Sequence, residues 1–331
     1  MPILLSSLLL GGLVWLSAGK ASAPAPPPVE AGSLATTAAN AVATTPETQT
    51  TETPAPTKVD GPEPVDDGSE APEVAMRDTA VRVLTEVGMV YVPRTFHPNA
   101  SGGFDLVIHF HGAPPAVEAA LDHAHIDAVL VIVNLGLGSG PYETRYQHEA
   151  ALEAVVKVAE RTLVKKHVMD APHVGRIALS SWSAGYGAVW RLLMRDKVSE
   201  RVDAVLLADG LHGAFKPGGR HVVEEAHMAP FVRFATMAAS GDRLMAITHS
   251  GIETYTYAST TETAAYLERT VAATVTPMAD EGARGMKRTS HAEKGSLSVD
   301  GYMGGTPAAH CDHLLALGDT NFAALARRWR N

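Results

Sequence analysis

The stretch RIALSSWSAG, residues 176–185, decides the fold because it joins a strand to a helix through a tight turn. RIAL is a short apolar run typical of a buried strand, and apolar positions at helical spacing predict a helix over Ala184–Arg195. Ser183 lies at the turn between them. Its neighbours two positions away, Ser181 and Gly185, are small enough to let the two backbones pass closely. The pattern predicts that the Ser183 hydroxyl stands at the carboxyl end of a strand.

Strands and helices alternate on both sides of this stretch. The runs FDLVIHF and AVLVIV are apolar enough to be buried on both faces of a sheet. The predicted strands are Phe104–Phe110, Ala128–Val133, Arg176–Leu179, Val202–Ala208, Arg243–Thr248 and Leu297–Val299, and the predicted helices are Tyr146–Lys166, Ala184–Arg195 and Leu314–Trp329. This alternation predicts an α/β fold with a mostly parallel sheet flanked by helices on both faces.

The first quarter of the 331-residue chain differs in composition from the rest. An apolar run within residues 1–23 is too short to span a membrane as a helix and predicts a signal peptide or membrane anchor. Residues 24–75 are rich in Pro, Ala and Thr and predict a disordered linker, because they offer too little apolar surface for a core. A single domain is expected over residues 76–331. The protein is therefore expected to be secreted, periplasmic or anchored to the membrane or cell wall through its N-terminus.

The charged residues and cysteines limit the partners that the protein can have. The chain carries a formal net charge of −9 and has no cluster of Lys and Arg that would follow phosphates, so nucleic acid is excluded as a partner. Cys311 is the single cysteine, which rules out an intrachain disulfide. The predicted domain must be stabilised by its core alone.

A second motif, HFHGAP at residues 109–114, ends the first clear strand. Together with the Ser183 turn, it resembles the α/β-hydrolase superfamily in motif order from about residue 90 to the C-terminus. In that superfamily a loop after an early strand and the residue after the nucleophile each supply a backbone N–H to an oxyanion. The resemblance implies that Ala113 and Ala184 are these donors. Ser181 stands where the superfamily usually has Gly, and its short side chain is compatible with the turn.

The resemblance also implies the chain order serine, acid, histidine for a catalytic triad. Two histidines follow the last predicted strand. His310 is preferred because it comes directly after a glycine-rich loop, whereas His313 lies where a helix is already forming. Two acids compete as well. Asp209 stands directly at the end of a strand and is preferred, and Glu253, inside a loop after a later strand, remains the alternative.

These residues favour an exported serine hydrolase that cleaves a small-molecule, lipid or polymer ester through an acyl-enzyme, with neither a metal nor an organic cofactor. A peptidase or amidase could use the same triad. A non-catalytic binding protein with a hydrolase fold, anchored to the envelope, is a third hypothesis. His109 and His111 have the spacing of metal ligands on one face of a strand, which leaves a metal-dependent hydrolase as a fourth.

The long segment over residues 212–240 separates two predicted strands and is rich in Phe and Met. Segments at this point commonly form a cap over the site in the superfamily that the chain resembles. The alternative is an ordinary helix whose buried face carries Phe231 and Phe234.

Overall fold

A computed structural model describes residues 78–330 of the protein, and these residues form an α/β fold built on one mixed sheet. The predicted signal or anchor segment (1–23) and the predicted linker (24–75) lie outside the described residues. Among the described residues, none of the helices is both long enough and apolar enough to span a bilayer.

The sheet has ten strands in the described part of the chain, in the order β1-β2-β4-β3-β5-β6-β7-β10-β9-β8. They are β1 (Val81–Leu84), β2 (Met89–Val92), β3 (Phe104–Phe110), β4 (Val129–Val133), β5 (Val174–Trp182), β6 (Ala204–Ala208), β7 (Leu244–His249), β8 (Thr274–Pro277), β9 (Arg288–Lys294) and β10 (Leu297–Tyr302).

The prediction of a mostly parallel sheet is only partly right. The six strands from β4 to β10 in the centre of the sheet pair in parallel. At each edge two further strands pair antiparallel, β1 and β2 on one side and β9 and β8 on the other. Strands β1, β8 and β9 carry polar and exposed residues, and β2 is apolar but only four residues long, so none of the four has a long apolar run that marks a strand in the sequence.

Nine α-helices cover the sheet in residues 78–330. They are α1 (Pro114–His123), α2 (Gly140–Tyr146), α3 (Ala151–Lys165), α4 (Tyr186–Leu193), α5 (Asp196–Arg201), α6 (Glu225–Ala239), α7 (Thr260–Val271), α8 (Pro307–Leu315) and α9 (Asn321–Arg330). The predicted helix over residues 146–166 begins at residue 151, because a four-residue break separates α3 from α2. The predicted closing helix is likewise two helices, α8 and α9.

Alternate residues of the central strands pack into two separate cores. In β3, Leu106 and Ile108 belong to one core together with residues of α3, α4, α6 and α7, and Val107 belongs to the other together with residues of α1 and α9. Both faces of the strand are therefore buried, as its continuously apolar sequence predicts. Burial stabilises the folded state by about 25 cal/mol per Å² of apolar surface. The buried strands therefore hold the residues at their carboxyl ends in fixed positions.

Candidate active site

The carboxyl ends of three central strands carry non-glycine residues in left-handed backbone conformations. His111 after β3, Ser183 after β5 and Asp209 after β6 have φ of 66°, 51° and 40°. Such φ values are uncommon for residues with a side chain, and they concentrate at functional sites. Because β5 pairs in parallel with both β3 and β6, these three residues lie side by side at the carboxyl ends of neighbouring strands.

The tight turn at Ser183 depends on the absence of side chains next to it. A Cβ added at Gly185 would collide with the Phe110 carbonyl group of β3. A Cβ at Gly210 would come within 2.7 Å of the Ser183 carbonyl oxygen. Ser181 is fully buried, and its hydroxyl has no hydrogen-bond partner in the described part of the chain.

Asp209 and His310 are joined directly. The Nδ1 atom of His310, in α8, lies 2.7 Å from Oδ2 of Asp209. A carboxylate can only accept a hydrogen bond, so Nδ1–H donates and Nε2 keeps its lone pair. His310 lies inside α8, which begins at Pro307, and so does not precede the helix as the sequence interpretation assumed.

The other carboxylate oxygen of Asp209 accepts two more hydrogen bonds. The Ser250 N–H donates from 2.8 Å and the Thr260 hydroxyl from 2.7 Å. Burial by itself raises the pKa of Asp209. The hydrogen bond from His310, the nearby His313 imidazole and these two donors outweigh it, so the pKa of this carboxyl lies below its usual range. Asp209 is therefore held as an anion.

Ser183, Asp209 and His310 line the same cavity, which has a volume of about 280 Å³. Its remaining wall comes from the segment after β6, the loop after β7, the start of α7 and the start of α8 with the loop before it. The residues are His212, Ser250, Ile252, Thr254, Tyr257, Thr260, Gly305, Thr306 and Pro307. Within residues 78–330, Ser183 and His310 share the cavity without a hydrogen bond between their side chains. In enzymes without substrate this bond is often long and tightens only in the complex.

The alternative triad residues lie elsewhere. Glu253 is exposed and makes no hydrogen bond to either histidine in the described residues. His313 is buried, with Nδ1 2.8 Å from the Thr248 hydroxyl. Burial lowers the pKa of His313 to about 4, so this imidazole is neutral at neutral pH.

Two hydrogen bonds with Asn134 hold the loop at residues 111–113 beside the Ser183 turn. The Gly112 N–H donates to Asn134 Oδ1 from 3.0 Å, and Asn134 Nδ2 donates to the Gly112 carbonyl oxygen from 2.9 Å. Ala113 then precedes α1, and Ala184 lies in the short 3₁₀ turn over 183–185. The N–H groups at such helix starts have no intrahelical acceptor, so both can donate to a ligand.

His109 and His111 do not form a metal site. The His109 ring is buried, with Nε2 3.0 Å from the His111 carbonyl oxygen and Nδ1 2.9 Å from the Ser180 hydroxyl, so both ring nitrogens are occupied. Burial lowers the pKa of His109 to about 3. His111 Nδ1 bonds the Tyr142 hydroxyl. No group of three or more potential ligands comes together anywhere in residues 78–330.

Two features of the site are not evident in the sequence. The Trp182 ring stacks on His310 at 4.7 Å and on His111 at 5.2 Å, and its Nε1–H donates to the His310 carbonyl oxygen. The only signal for Trp182 is its place next to Ser183. Thr260, which holds Asp209, is 51 residues away from it in the chain, so nothing in the sequence connects the two.

The segment over residues 212–240 contributes an ordinary helix. Phe231 and Phe234 of α6 are fully buried in the core and take no part in the cavity. Tyr257, to which the sequence assigns no role, does line the cavity, together with His212 at the start of the segment.

Comparison with known proteins gives no match among family models or curated protein sequences. Among solved structures, an uncharacterised protein from Capnocytophaga ochracea has 11% identity to this chain and a TM-score of 0.41. The match covers 74% of this chain, and this chain spans only 64% of that protein. The siderophore hydrolase EstA from Aspergillus nidulans has 14% identity, a TM-score of 0.40 and coverage of 78% and 98%. A cold-adapted esterase from an Arctic intertidal metagenomic library, in a zinc-bound structure, has 12% identity, a TM-score of 0.34 and coverage of 72% and 92%.

The chain's own topology identifies its fold type. A parallel centre, an antiparallel strand β2 beside β4, and a serine in a strained turn between β5 and the helix after it are features of an α/β-hydrolase-type fold. The resemblance predicted from motif order is thus confirmed for the fold.

Proposed function

We propose that the protein is a serine hydrolase that cleaves an ester with Ser183 as nucleophile, His310 as general base and Asp209 as the acid that orients it. The hydrogen bond between His310 and Asp209, in a cavity that Ser183 also lines, is the observation that carries this proposal. Because His310 Nδ1–H donates to Asp209, the Nε2 lone pair is free to take the Ser183 proton. The buried anion then stabilises the imidazolium that forms.

The reaction would follow from these roles. Ser183 Oγ attacks the ester carbonyl carbon while its proton passes to His310 Nε2, and the carbonyl oxygen becomes an oxyanion. The N–H groups of Ala113 and Ala184 would stabilise that charge. Collapse of the tetrahedral intermediate breaks the bond to the alcohol oxygen, which takes the proton from His310. Water then attacks the acyl-enzyme by the same sequence and releases the acid.

The cavity is large enough for one part of a small ester. A volume of about 280 Å³ is roughly twice that of a cavity of about 150 Å³ that holds benzene, so it accepts one small acyl or alkyl group. The same three residues could also cleave an amide. Rates on a p-nitrophenyl ester and on the p-nitroanilide of the same acid separate the two activities, and faster release from the anilide would favour the amidase.

Labelling with a fluorophosphonate probe tests the proposal directly. The described domain should be labelled, and Ser183→Ala should abolish labelling and lower kcat for an ester by about 10⁶-fold. Ser181→Ala is the matched control, because this neighbouring hydroxyl is buried and has no partner among the described residues, and it should keep the label. An unlabelled domain would favour a binding protein, and loss of activity with chelators would favour a metal-dependent hydrolase.

We also propose that the protein acts outside the cytoplasm. This proposal rests on the sequence of residues 1–23 and 24–75 alone. Fractionation of cells that express the full chain should recover it in the envelope or medium, and replacement of two leucines of the apolar run by lysine should retain it in the cytoplasm.

A further inference from the structure

His212 forms a fixed part of the cavity wall, three residues after Asp209. The backbone around it is held to the segment before α7. The Ala258 N–H donates to the Gly213 carbonyl oxygen from 2.8 Å, and the Thr263 hydroxyl donates to the Leu211 carbonyl oxygen. His212 therefore cannot move far without breaking several contacts.

The orientation of the His212 ring is also fixed. Its Nδ1 lies 3.3 Å from the Ala258 carbonyl oxygen, which can only accept, so Nδ1 carries the proton. The Tyr186 and Tyr257 rings meet it in edge-to-face contacts at 5.4 and 5.1 Å. Aromatic pairs of this geometry contribute to a rigid arrangement.

The other nitrogen, Nε2, is an acceptor without a donor. No group in residues 78–330 hydrogen-bonds it, and it does not belong to the fully buried polar atoms that lack a partner, so it keeps some exposure on a residue that lines the cavity. Burial lowers the pKa of His212, which keeps the ring neutral and the lone pair available. By contrast, the Thr254 and Thr260 hydroxyls in the same wall already donate to the Tyr257 carbonyl oxygen and to Asp209.

We infer that His212 Nε2 accepts a hydrogen bond from a hydroxyl group of the substrate, so that the protein prefers hydroxylated esters. This inference rests on the proposed function, because the substrate must occupy the cavity beside Ser183. A ligand without a donor would leave Nε2 unpaired in a partly buried site, which sites built around such a group discriminate against. The hydroxyl can belong to the acyl group or to the alcohol of the ester.

Two pairs of esters show whether the hydroxyl belongs to the acyl group or to the alcohol. In the acyl arm, p-nitrophenyl butyrate is compared with its β-hydroxy analogue. In the alcohol arm, propyl butyrate is compared with the 2-hydroxyethyl ester by acid release. In at least one arm, kcat/KM should be about five-fold higher for the hydroxylated ester, as expected of one hydrogen bond.

Two substitutions of His212 separate substrate recognition from a purely structural role. His212→Asn places its amide near the position of Nδ1, so it can keep the bond to Ala258 but lacks an acceptor at the position of Nε2. His212→Gln reaches that position with its side-chain oxygen. The preference for the hydroxylated ester should fall to about one in His212→Asn and return in His212→Gln. His148→Asn is the control, because His148 is exposed and its side chain has no partner within residues 78–330, and it should keep the preference.

The same measurements test the role of His212 separately from the proposed function. If the protein hydrolyses the esters in a Ser183-dependent way but shows no preference in either arm, or a preference that His212→Asn retains, the role of His212 is wrong and the proposed function stands. If fluorophosphonate does not label Ser183 and no ester is hydrolysed, both are wrong.

Discussion

Two histidine–aspartate pairs lie at the sheet with almost the same hydrogen-bond length but in different surroundings. His310 and Asp209 meet at 2.7 Å, with side chains that are 23% and 2% exposed. His291 in β9 and Asp300 in β10 meet at 2.8 Å with side chains that are 28% and 22% exposed. The distance alone therefore does not separate a site from a surface ion pair.

The surroundings of the two aspartates separate them. Asp209 is held by neutral donors and stands next to a serine at a strained turn. Asp300 is also contacted by Arg288, a permanent cation that competes with the imidazole for the carboxylate. The serine in the cavity near Asp300, Ser298, lies within strand β10 and not at a turn. A catalytic histidine–aspartate pair needs a carboxylate that is shielded from water and hydrogen-bonds one imidazole. It also needs a nucleophile close to that imidazole.

The largest expected difference between the pairs is in the rate after removal of each imidazole. His310→Ala should lower kcat for ester hydrolysis by about 10⁶-fold, because the triad acts as a unit. His291→Ala should leave kcat within about two-fold, because half-exposed ion pairs contribute little. Steady-state rates on a p-nitrophenyl ester, with circular dichroism to check folding, measure both. Equal losses of kcat in the two variants would mean that the surroundings of the two pairs do not identify the catalytic one.

The sequence predicts the buried pair much better than the exposed one. The central strands follow from continuous apolar runs, and the place of Ser183 follows from the turn between a strand and a helix. The order of Asp209 and His310 is predicted from the resemblance to the α/β-hydrolase superfamily. His291 lies in β9, which alternates polar and half-buried residues, a pattern that loops share. Asp300 lies in β10, where the sequence predicts a strand only over Leu297–Val299. Contacts between distant residues, such as Thr260 with Asp209 or His212 with Ala258, depend on how the chain returns to one edge of the sheet, which no local pattern encodes.

The next largest difference concerns the acids. Asp209→Asn should lower kcat by about 10⁴-fold, because an amide can stabilise the wrong imidazole tautomer and cannot offset the imidazolium charge. Asp300→Asn should leave kcat nearly unchanged. Glu253→Gln tests the alternative acid in the same assay and should also have little effect. A larger loss in Glu253→Gln than in Asp209→Asn would reassign the acid.

Burial of His313 also makes the protein sensitive to acid. The folded pKa of His313 is about 4, below the 6.5 of an exposed imidazole, so the unfolded chain binds more protons between these values. Stability must therefore fall as the pH falls through this window. His313 alone should account for a loss of about 2 kcal/mol between pH 7 and pH 5. Urea denaturation at the two pH values should show a smaller loss in His313→Gln than in the unmodified protein. The same loss in both would contradict this account.

The smallest expected effect tests the donors that hold Asp209. Thr260→Val removes one hydroxyl donor but leaves the Ser250 N–H, so the carboxylate stays in place with less stabilisation of its charge. We expect kcat to fall about ten-fold with KM unchanged, since a hydrogen bond to a charged group contributes about 1.5 kcal/mol. Thr260→Ser keeps the hydroxyl and should restore the rate. Thr270→Val, on the same helix α7, removes a hydroxyl that donates to the Tyr266 carbonyl oxygen of its own helix and should change neither constant. If Thr260→Ser were as slow as Thr260→Val, packing of the methyl group and not the hydroxyl would position Asp209, and the contrast with Asp300 would rest on burial alone.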